Sequence, residues 1–334
     1  MPIQTLPETM LAVVHHAFGG PEVLELTEVP RPRPRAGEVL IRVAAATVTA
    51  EDPKQRAFAF PKLLWPVLVF IMGFRRPRKP ILGFELAGTV VAAGAGVTRF
   101  AVGDRVFGYT GLGFGAYAQY RALPESALLA ALPDGVPFEA AAACPNGFMT
   151  ALAYLRLGAL REGERILVYG ASGSVGTAAV QVASCMGAHV TAVCSAANHE
   201  LVKALGADAV LDYRSQDFAT LGEEWDVVFD TVGHAGSTRC RSVLPPTGRY
   251  LVTEFGLGEM VMSLWTRLTR RRRVVAVASN FHWTRDDLDW VAARLADGRV
   301  QAVIDRTWPL AEAPAAHVYV ESGRKRGNVV LRVP

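Results

Sequence analysis

Between Arg165 and Ser279 six short apolar runs alternate with helical stretches: "RILVYG", "HVTAVC", "AVLDY", "DVVFDTV", "RYLVTEF" and "RVVAVAS". Most are Val-rich and apolar on both faces, as a strand must be when a parallel sheet is covered on both sides. Six such strands joined by crossover helices specify an α/β fold, a doubly wound six-stranded parallel sheet of Rossmann type. The N-terminal stretch has a different pattern. It is rich in Gly and Pro and holds short strands ("EVLIRVAAA", "GTVVAAG", "DRVFGY", "AYAQYRAL") with few helical stretches, the signature of a mostly antiparallel β domain. After Asn280 comes a helix, "TRDDLDWVAARLADG", with Thr284 placed as its N-cap, then a second helix and the strand "NVVLRV". That last strand is expected to return to the N-terminal sheet. The organisation read from the chain is thus residues 1–133 with 281–334 as one domain and 134–280 as the other.

The stretch "VYGASGSVGTAAVQVA" joins the first strand of the parallel sheet to its helix. Gly170, Gly173 and Gly176 stand at GxxGxxG spacing, with Ser172, Ser174 and Val175 between them. The first glycine serves a tight turn, the second lets backbone approach a pyrophosphate, and the third lets helix and strand pack closely, while the helix N-terminus aims N–H dipoles at the anion. NAD enzymes of this type place an acid at the end of the second strand to bind the ribose 2′-hydroxyl. Here Ser195, Ala196, Ala197 and Asn198 hold that place. Without a carboxylate to repel it, a 2′-phosphate can be met by Ser195, Asn198 and, from the next strand end, Tyr213 and Arg214. The reading is NADPH. The other use of Ser195 and Asn198 is to cap the helix that follows.

The 334 residues, 51% hydrophobic and 20% charged, suit two soluble domains with separate cores. The N-terminus lacks a basic start and a continuous apolar core, so the cytoplasm is the default location. Four scattered cysteines form no CxxC pair, and a net charge of +4 does not argue for nucleic acid. Two basic runs stand out, "RRPRK" at 75–79 and "RRRR" at 270–273. The first follows "LLWPVLVFIMGF", too short for the ~20 residues of a spanning helix. It reads either as a buried segment over a pocket with a solvated basic edge, the version preferred, or as a surface that dips into a bilayer.

One carboxylate, Glu85, lies within the apolar run "ILGFELAGTV", where burial without a partner is costly. This segment, with "GASGSVGTAAVQVASCMGAHVTAVC", "GGPEVLELTEVPRPRPRAGEVLIRV" and the terminal "GNVVLRV", resembles the medium-chain dehydrogenase/reductases, in their zinc-independent, quinone-oxidoreductase or zeta-crystallin branch. The resemblance implies a GroES-like N-terminal domain. Zinc-dependent relatives carry a ligating His directly before the Glu of this motif. Here Phe84 stands there, no Cys occurs in "ATVTAEDPK", and no cysteine precedes Cys144, so no metal site is expected. The resemblance further implies that Glu85 is a structural residue partnered from the C-terminal strand, where Asn328 lies.

It implies a nicotinamide end lined by Thr49, where relatives have Asn, by Asp52 and by Lys54. Thr150, Thr253 and the segment Ser279, Asn280 and Phe281 are implied to hold the cofactor. Asp52 and Lys54 read equally well as a surface ion pair. Without a Lewis acid, alcohol oxidation loses its metal-bound alkoxide, whereas reduction of an electrophilic acceptor needs alignment and a hydrogen bond. The expected reaction is NADPH-dependent reduction of a quinone or α,β-unsaturated carbonyl, an apolar electrophile. Trp65, Phe70 and Phe84 would line the pocket, with a short helix after Pro66 as its wall or lid. The alternatives are an enoyl reductase on a carrier-tethered or lipid-like substrate, and a weakly catalytic NADPH-binding protein with a membrane or protein partner. The resemblance also implies a homodimer joined through the edge of "RVVAVAS", against which the arginines before it would act.

Overall fold

The computed structural model describes residues 6–60, 65–254, 256–269, 272–276 and 283–334. The chain forms two units: Met1–Pro145 with Leu288–Ala296 and Ala302–Pro334, and Asn146–Asp287 with Asp297–Gln301. The first runs through β1 (Thr9–Val14), β2 (Glu25–Pro30), β3 (Glu38–Val48), α1 (Glu51–Ala57), α2 (Trp65–Met72), β4 (Glu85–Ala93), β5 (Arg105–Tyr109), β6 (Tyr120–Pro124), β7 (Leu128–Ala131) and α3 (Phe138–Ala142). There follow α4 (Pro145–Leu157), β8 (Arg165–Tyr169), α5 (Ser174–Cys185), β9 (His189–Cys194), α6 (His199–Ala204), β10 (Ala209–Asp212), β11 (Val227–Asp230), α7 (Ser237–Ser242), β12 (Arg249–Val252), α8 (Leu257–Thr269) and β13 (Arg273–Ala276). The chain closes with α9 (Arg285–Ala296), β14 (Ile304–Pro309), α10 (Ala313–Glu321) and β15 (Asn328–Arg332).

All six runs of the alternating pattern are parallel strands of one sheet, ordered β10-β9-β8-β11-β12-β13. This is the doubly wound order, with the chain reversing direction between β8 and β11. Leu167, Val193, Trp225, Val228, Tyr250 and Val274 belong to its core. In the other unit the sheet runs β14-β15-β3-β4-β5-β7, with β6 also paired to β3 and β1-β2 forming a separate ribbon. The terminal strand does return: β15 lies antiparallel to β3, with Val329 opposite Val48 and Leu331 opposite Ala46. Leu310, Ala316 and Val320 from the returning segment join Ile41, Val43, Leu86 and Val90 in that core.

Thr284 caps α9 as its sequence indicates. Its hydroxyl donates to Asp287 Oδ2 at 2.8 Å and accepts from Asp287 N at 3.2 Å, a reciprocal cap with Asp at the third position. The apolar run departs from expectation. Among the described residues α2 runs from Trp65, so Pro66 lies within the helix instead of preceding it. The side chains turn outward: Val67, Phe70 and Phe74 are 64%, 74% and 68% exposed, and Met72 alone of α2 is buried. Trp65 is held by its indole N–H on the Phe60 carbonyl at 3.0 Å and by the edge of Phe58. Trp65 and Phe70 therefore do not form the buried pocket wall expected of them. Among the described residues no helix is long and apolar enough to cross a membrane.

Candidate active site

The glycine loop follows β8 as the spacing requires. Gly170 has φ +79°, a left-handed conformation that side chains resist, and its N–H bonds the Val193 carbonyl at 3.0 Å. Gly176 is fixed by packing, since a Cβ there would lie 2.1 Å from the Gly170 carbonyl oxygen. Gly173 is different. It is the N-cap of α5 with φ −80°, so neither backbone strain nor a side-chain cap explains it. A Cβ on Gly173 would meet no protein atom closer than 3.5 Å. No clash therefore demands the glycine, and it leaves the N-terminal N–H groups of a 12-residue helix without a side chain over them, as binding of a diphosphate would require. Ser172, Ser174 and Val175 are partly exposed around this opening.

At the end of β9, Asn198 Nδ2 donates to Ser195 Oγ at 3.2 Å, and neither side chain caps the helix that follows. The capping use of the pair is thereby set aside. Tyr213 is half-exposed with its ring 6.5 Å from that of Tyr169, and the Arg214 guanidinium lies over it at 5.7 Å. Asp212, at the end of β10, accepts from the Arg214 backbone N–H at 3.0 Å. Thr150 is buried on α4 with its hydroxyl 3.4 Å from Asn146 Oδ1, and Thr253 N bonds the Asp230 carbonyl at 3.1 Å. Ser279, Asn280 and Phe281 lie outside the described residues.

Asp230 is a site residue that the sequence reading missed. It is wholly buried at the end of β11 and organises the loop beside Gly170. Its carboxylate accepts from the N–H groups of Val232 (3.1 Å), Gly233 (2.8 Å) and Ala235 (2.9 Å) and from the Tyr250 hydroxyl (3.2 Å). The available signal was an acid closing an apolar strand just before a Gly-containing turn, "VVFDTVGHAG".

In the β unit, Thr49 and Asp52 come together at the junction of β3 and α1. Asp52 is fully buried and accepts from Thr49 N at 2.8 Å, Thr49 Oγ1 at 2.7 Å and Gly83 N at 3.1 Å. Burial pushes its carboxyl up to about 6 despite these donors. Asp52 and Lys54 are thus not a surface ion pair: the Lys54 ammonium lies 2.9 Å from Glu51, and Asp52 ties two segments of the site to each other. The Thr49 hydroxyl proton is committed to Asp52, so the hydroxyl offers a ligand only a lone pair while Asp52 is ionised.

Phe84 is buried, stacked on Tyr109 at 5.5 Å and edge-on to Phe114 at 4.9 Å. Glu85, beside it, accepts from the Thr47 hydroxyl across the sheet. On the C-terminal strand Asn328 Nδ2 donates to the Val303 carbonyl at 3.2 Å, and three residues earlier Lys325 is a basic group that Glu85 supports. Enclosure of the Lys325 ammonium lowers it to about 8, although the side chain keeps some exposure, and the Glu85 charge opposes that fall. Behind α1, the buried Arg56 donates to His317 Nδ1 at 3.2 Å and Glu321 at 2.8 Å, fixing the helix against α10. Burial drives His317 down to about 3.

Residues 35–134 match the family described as alcohol dehydrogenase GroES-like domain, and residues 205–331 the family described as zinc-binding dehydrogenase. The chain is 30% identical over 349 residues to the quinone-oxidoreductase homolog, chloroplastic, of Spinacia oleracea, covering 96% of this chain and 99% of that one. It is 29% identical over 339 residues to the NADPH-dependent alkenal/one oxidoreductase, chloroplastic, of Arabidopsis thaliana, covering 98% and 80%. The solved structure of the quinone oxidoreductase from Coxiella burnetii superposes with a TM-score of 0.86 at 27% identity, over 98% of this chain and 100% of that one. The zinc of the second family description does not fit the residues present: Phe84 is packed in an aromatic stack, and among the described residues no three His, Cys, Asp or Glu gather to hold an ion. With its doubly wound sheet, open glycine cradle and β unit closed by the C-terminal strand, the chain is a member of the medium-chain dehydrogenase/reductase family, in its quinone-oxidoreductase branch, an oxidoreductase that works with a nicotinamide cofactor.

Proposed function

We propose that this protein uses NADPH to reduce a quinone or an α,β-unsaturated carbonyl, without metal. The observation that carries the reading is the aromatic stack of Phe84, Tyr109 and Phe114 at the place where zinc-dependent relatives put a ligand. A site with no Lewis acid there favours an acceptor that is already electrophilic and apolar. The names of the spinach and Arabidopsis relatives, a quinone-oxidoreductase homolog and an alkenal/one oxidoreductase, point the same way.

Gly170, Gly173 and Gly176 with the start of α5 would hold the diphosphate, and Ser195, Asn198, Tyr213 and Arg214 the 2′-phosphate. The reduced nicotinamide, when bound, supplies the hydride. Asp230 keeps the β11–α7 loop in place by backbone bonds, and Asp52 does the same for Thr49 and Gly83. With the Thr49 hydroxyl turned to Asp52, we assign the Lys54 ammonium to the acceptor oxygen, where it stabilises developing negative charge. The edge of β13 we assign to pairing with a second copy, which light scattering at micromolar concentration tests as dimer against monomer. The hydride reading is tested with NADPH deuterated at C4: deuterium must appear on carbon of a reduced enone. Consumption of NADPH with no label in that product contradicts it.

A further inference from the structure

We infer that α2 and the basic turn after it form a peripheral anchor for an anionic lipid surface. The eight residues of α2, WPVLVFIM, include no charged or hydroxylic side chain. Val67, Phe70 and Ile71 follow at i, i+3 and i+4, one stripe along the helix, and all three are exposed, as is Phe74 in the turn that follows. Contiguous apolar stripes of this kind on a soluble chain mark an interaction surface.

The charge beside the stripe says what the partner is. Between Asp52 and Glu85 the sequence holds no acid. Arg75, Arg76, Arg78 and Lys79 follow the helix directly, all exposed, and among the described residues none is paired with a carboxylate. The turn is built, not loose. Gly73 has φ +102°, a Cβ on it would lie 2.1 Å from the Arg76 carbonyl oxygen, and Arg78 N bonds the Met72 carbonyl at 2.8 Å. The Arg78 guanidinium lies over the Phe70 ring at 5.3 Å, and Lys79 Nζ bonds the Leu112 carbonyl at 2.6 Å. The cations thus stand at the margin of the apolar stripe. That pairing, aromatic and aliphatic side chains rimmed by Arg and Lys, is the pattern of a segment lying in the headgroup boundary. At about 1.5 Å per residue α2 is far too short to span the bilayer core, which excludes a transmembrane role and suits an in-plane one. Helix-dipole complementation explains cations after a helix but not the outward apolar stripe. A second copy is the poorer partner, because a two-fold interface would set these four cations against their own counterparts.

The test is co-sedimentation of the full chain with vesicles of phosphatidylcholine containing roughly a third phosphatidylglycerol, against phosphatidylcholine alone. Two variants accompany the wild type, Val67→Ser/Phe74→Ser and Arg75→Glu/Arg76→Glu, each checked for unchanged thermal unfolding and oligomeric state. The expected result is binding of the wild type to the anionic vesicles, at least tenfold weaker on neutral ones, weakened by salt, and reduced at least tenfold by either variant. Wild-type protein left in the supernatant, or variants that bind as the wild type does, would overturn the proposal. So would variants that change the oligomeric state, which would give the stripe to a second copy of the chain.

Discussion

Asp52 sets a test that isolates one group. Its folded carboxyl stands at about 6 against 3.8 unperturbed, because burial penalises the charged form. A rise of this size corresponds to about 3 kcal/mol between protonation states. The sign follows from which form the fold prefers. With the folded value raised, the stabilising contribution is complete below about pH 3.8 and is lost as pH climbs through about 6. Asp52→Asn keeps the size of the side chain and removes the titration. It also turns an NH2 toward one of the three donors, Thr49 N, Thr49 Oγ1 and Gly83 N, so at low pH the variant is less stable than the wild type by about 1–3 kcal/mol or more. The informative quantity is the gap between wild type and variant. It should narrow by about 3 kcal/mol from pH 3 to pH 8, with most of the change between pH 4 and 6. Other titrating groups, His15 and His317 among them, are common to both proteins and cancel to first order. Urea unfolding followed by tryptophan fluorescence at several pH values gives the gap directly. A constant gap, or one that widens as pH rises, would refute the burial argument.

The glycine cradle predicts two unlike outcomes. Gly173→Ala should unfold at the wild-type temperature while its affinity for the cofactor, measured by calorimetric titration, falls at least tenfold; Gly176→Ala, its Cβ forced onto the Gly170 carbonyl, should lose several kcal/mol of stability. Ser195→Asp should shift the NADPH to NADH affinity ratio toward NADH by at least tenfold, by setting a carboxylate against the 2′-phosphate. His317 is held neutral by burial, so its contribution is complete above about pH 6.5 and is lost as pH falls toward about 3. His317→Gln, which can still accept from Arg56, should therefore lose less stability on acidification over that range than the wild type.

The parts of this protein that were readable in advance are those where one backbone requirement admits few residues. Six doubly covered strands leave Val-rich runs, and a turn onto a diphosphate leaves glycines, so the β8–α5 unit and the strand set are visible in composition alone. Thr284 and Asp287 show their cap for the same reason. The segment at α2 was misread because hydrophobicity predicts that a side chain needs cover, not where the cover comes from. Within this chain Phe70 and Phe74 are left outside. Asp52 and Asp230 were hard to judge because a carboxylate bonded to backbone N–H groups has the same spacing in sequence as one paired to a neighbouring lysine. Only the fold shows that Asp52 takes Gly83, 31 residues away, and not Lys54. Lys325 escaped notice because the return of the terminal strand was legible but not which residue beside it would approach Glu85.

The central claim is metal-free hydride transfer from NADPH to an electrophilic acceptor. It is tested most directly by following NADPH absorbance with chelator-treated, zinc-depleted protein and a panel of quinones, enones and simple aldehydes. The account predicts turnover of quinones or enones, unaffected by chelation and not increased by added zinc, with NADPH preferred to NADH and simple aldehydes poor. Activity that disappears with the chelator and returns only with zinc, or NADPH consumption confined to simple aldehydes, would contradict it.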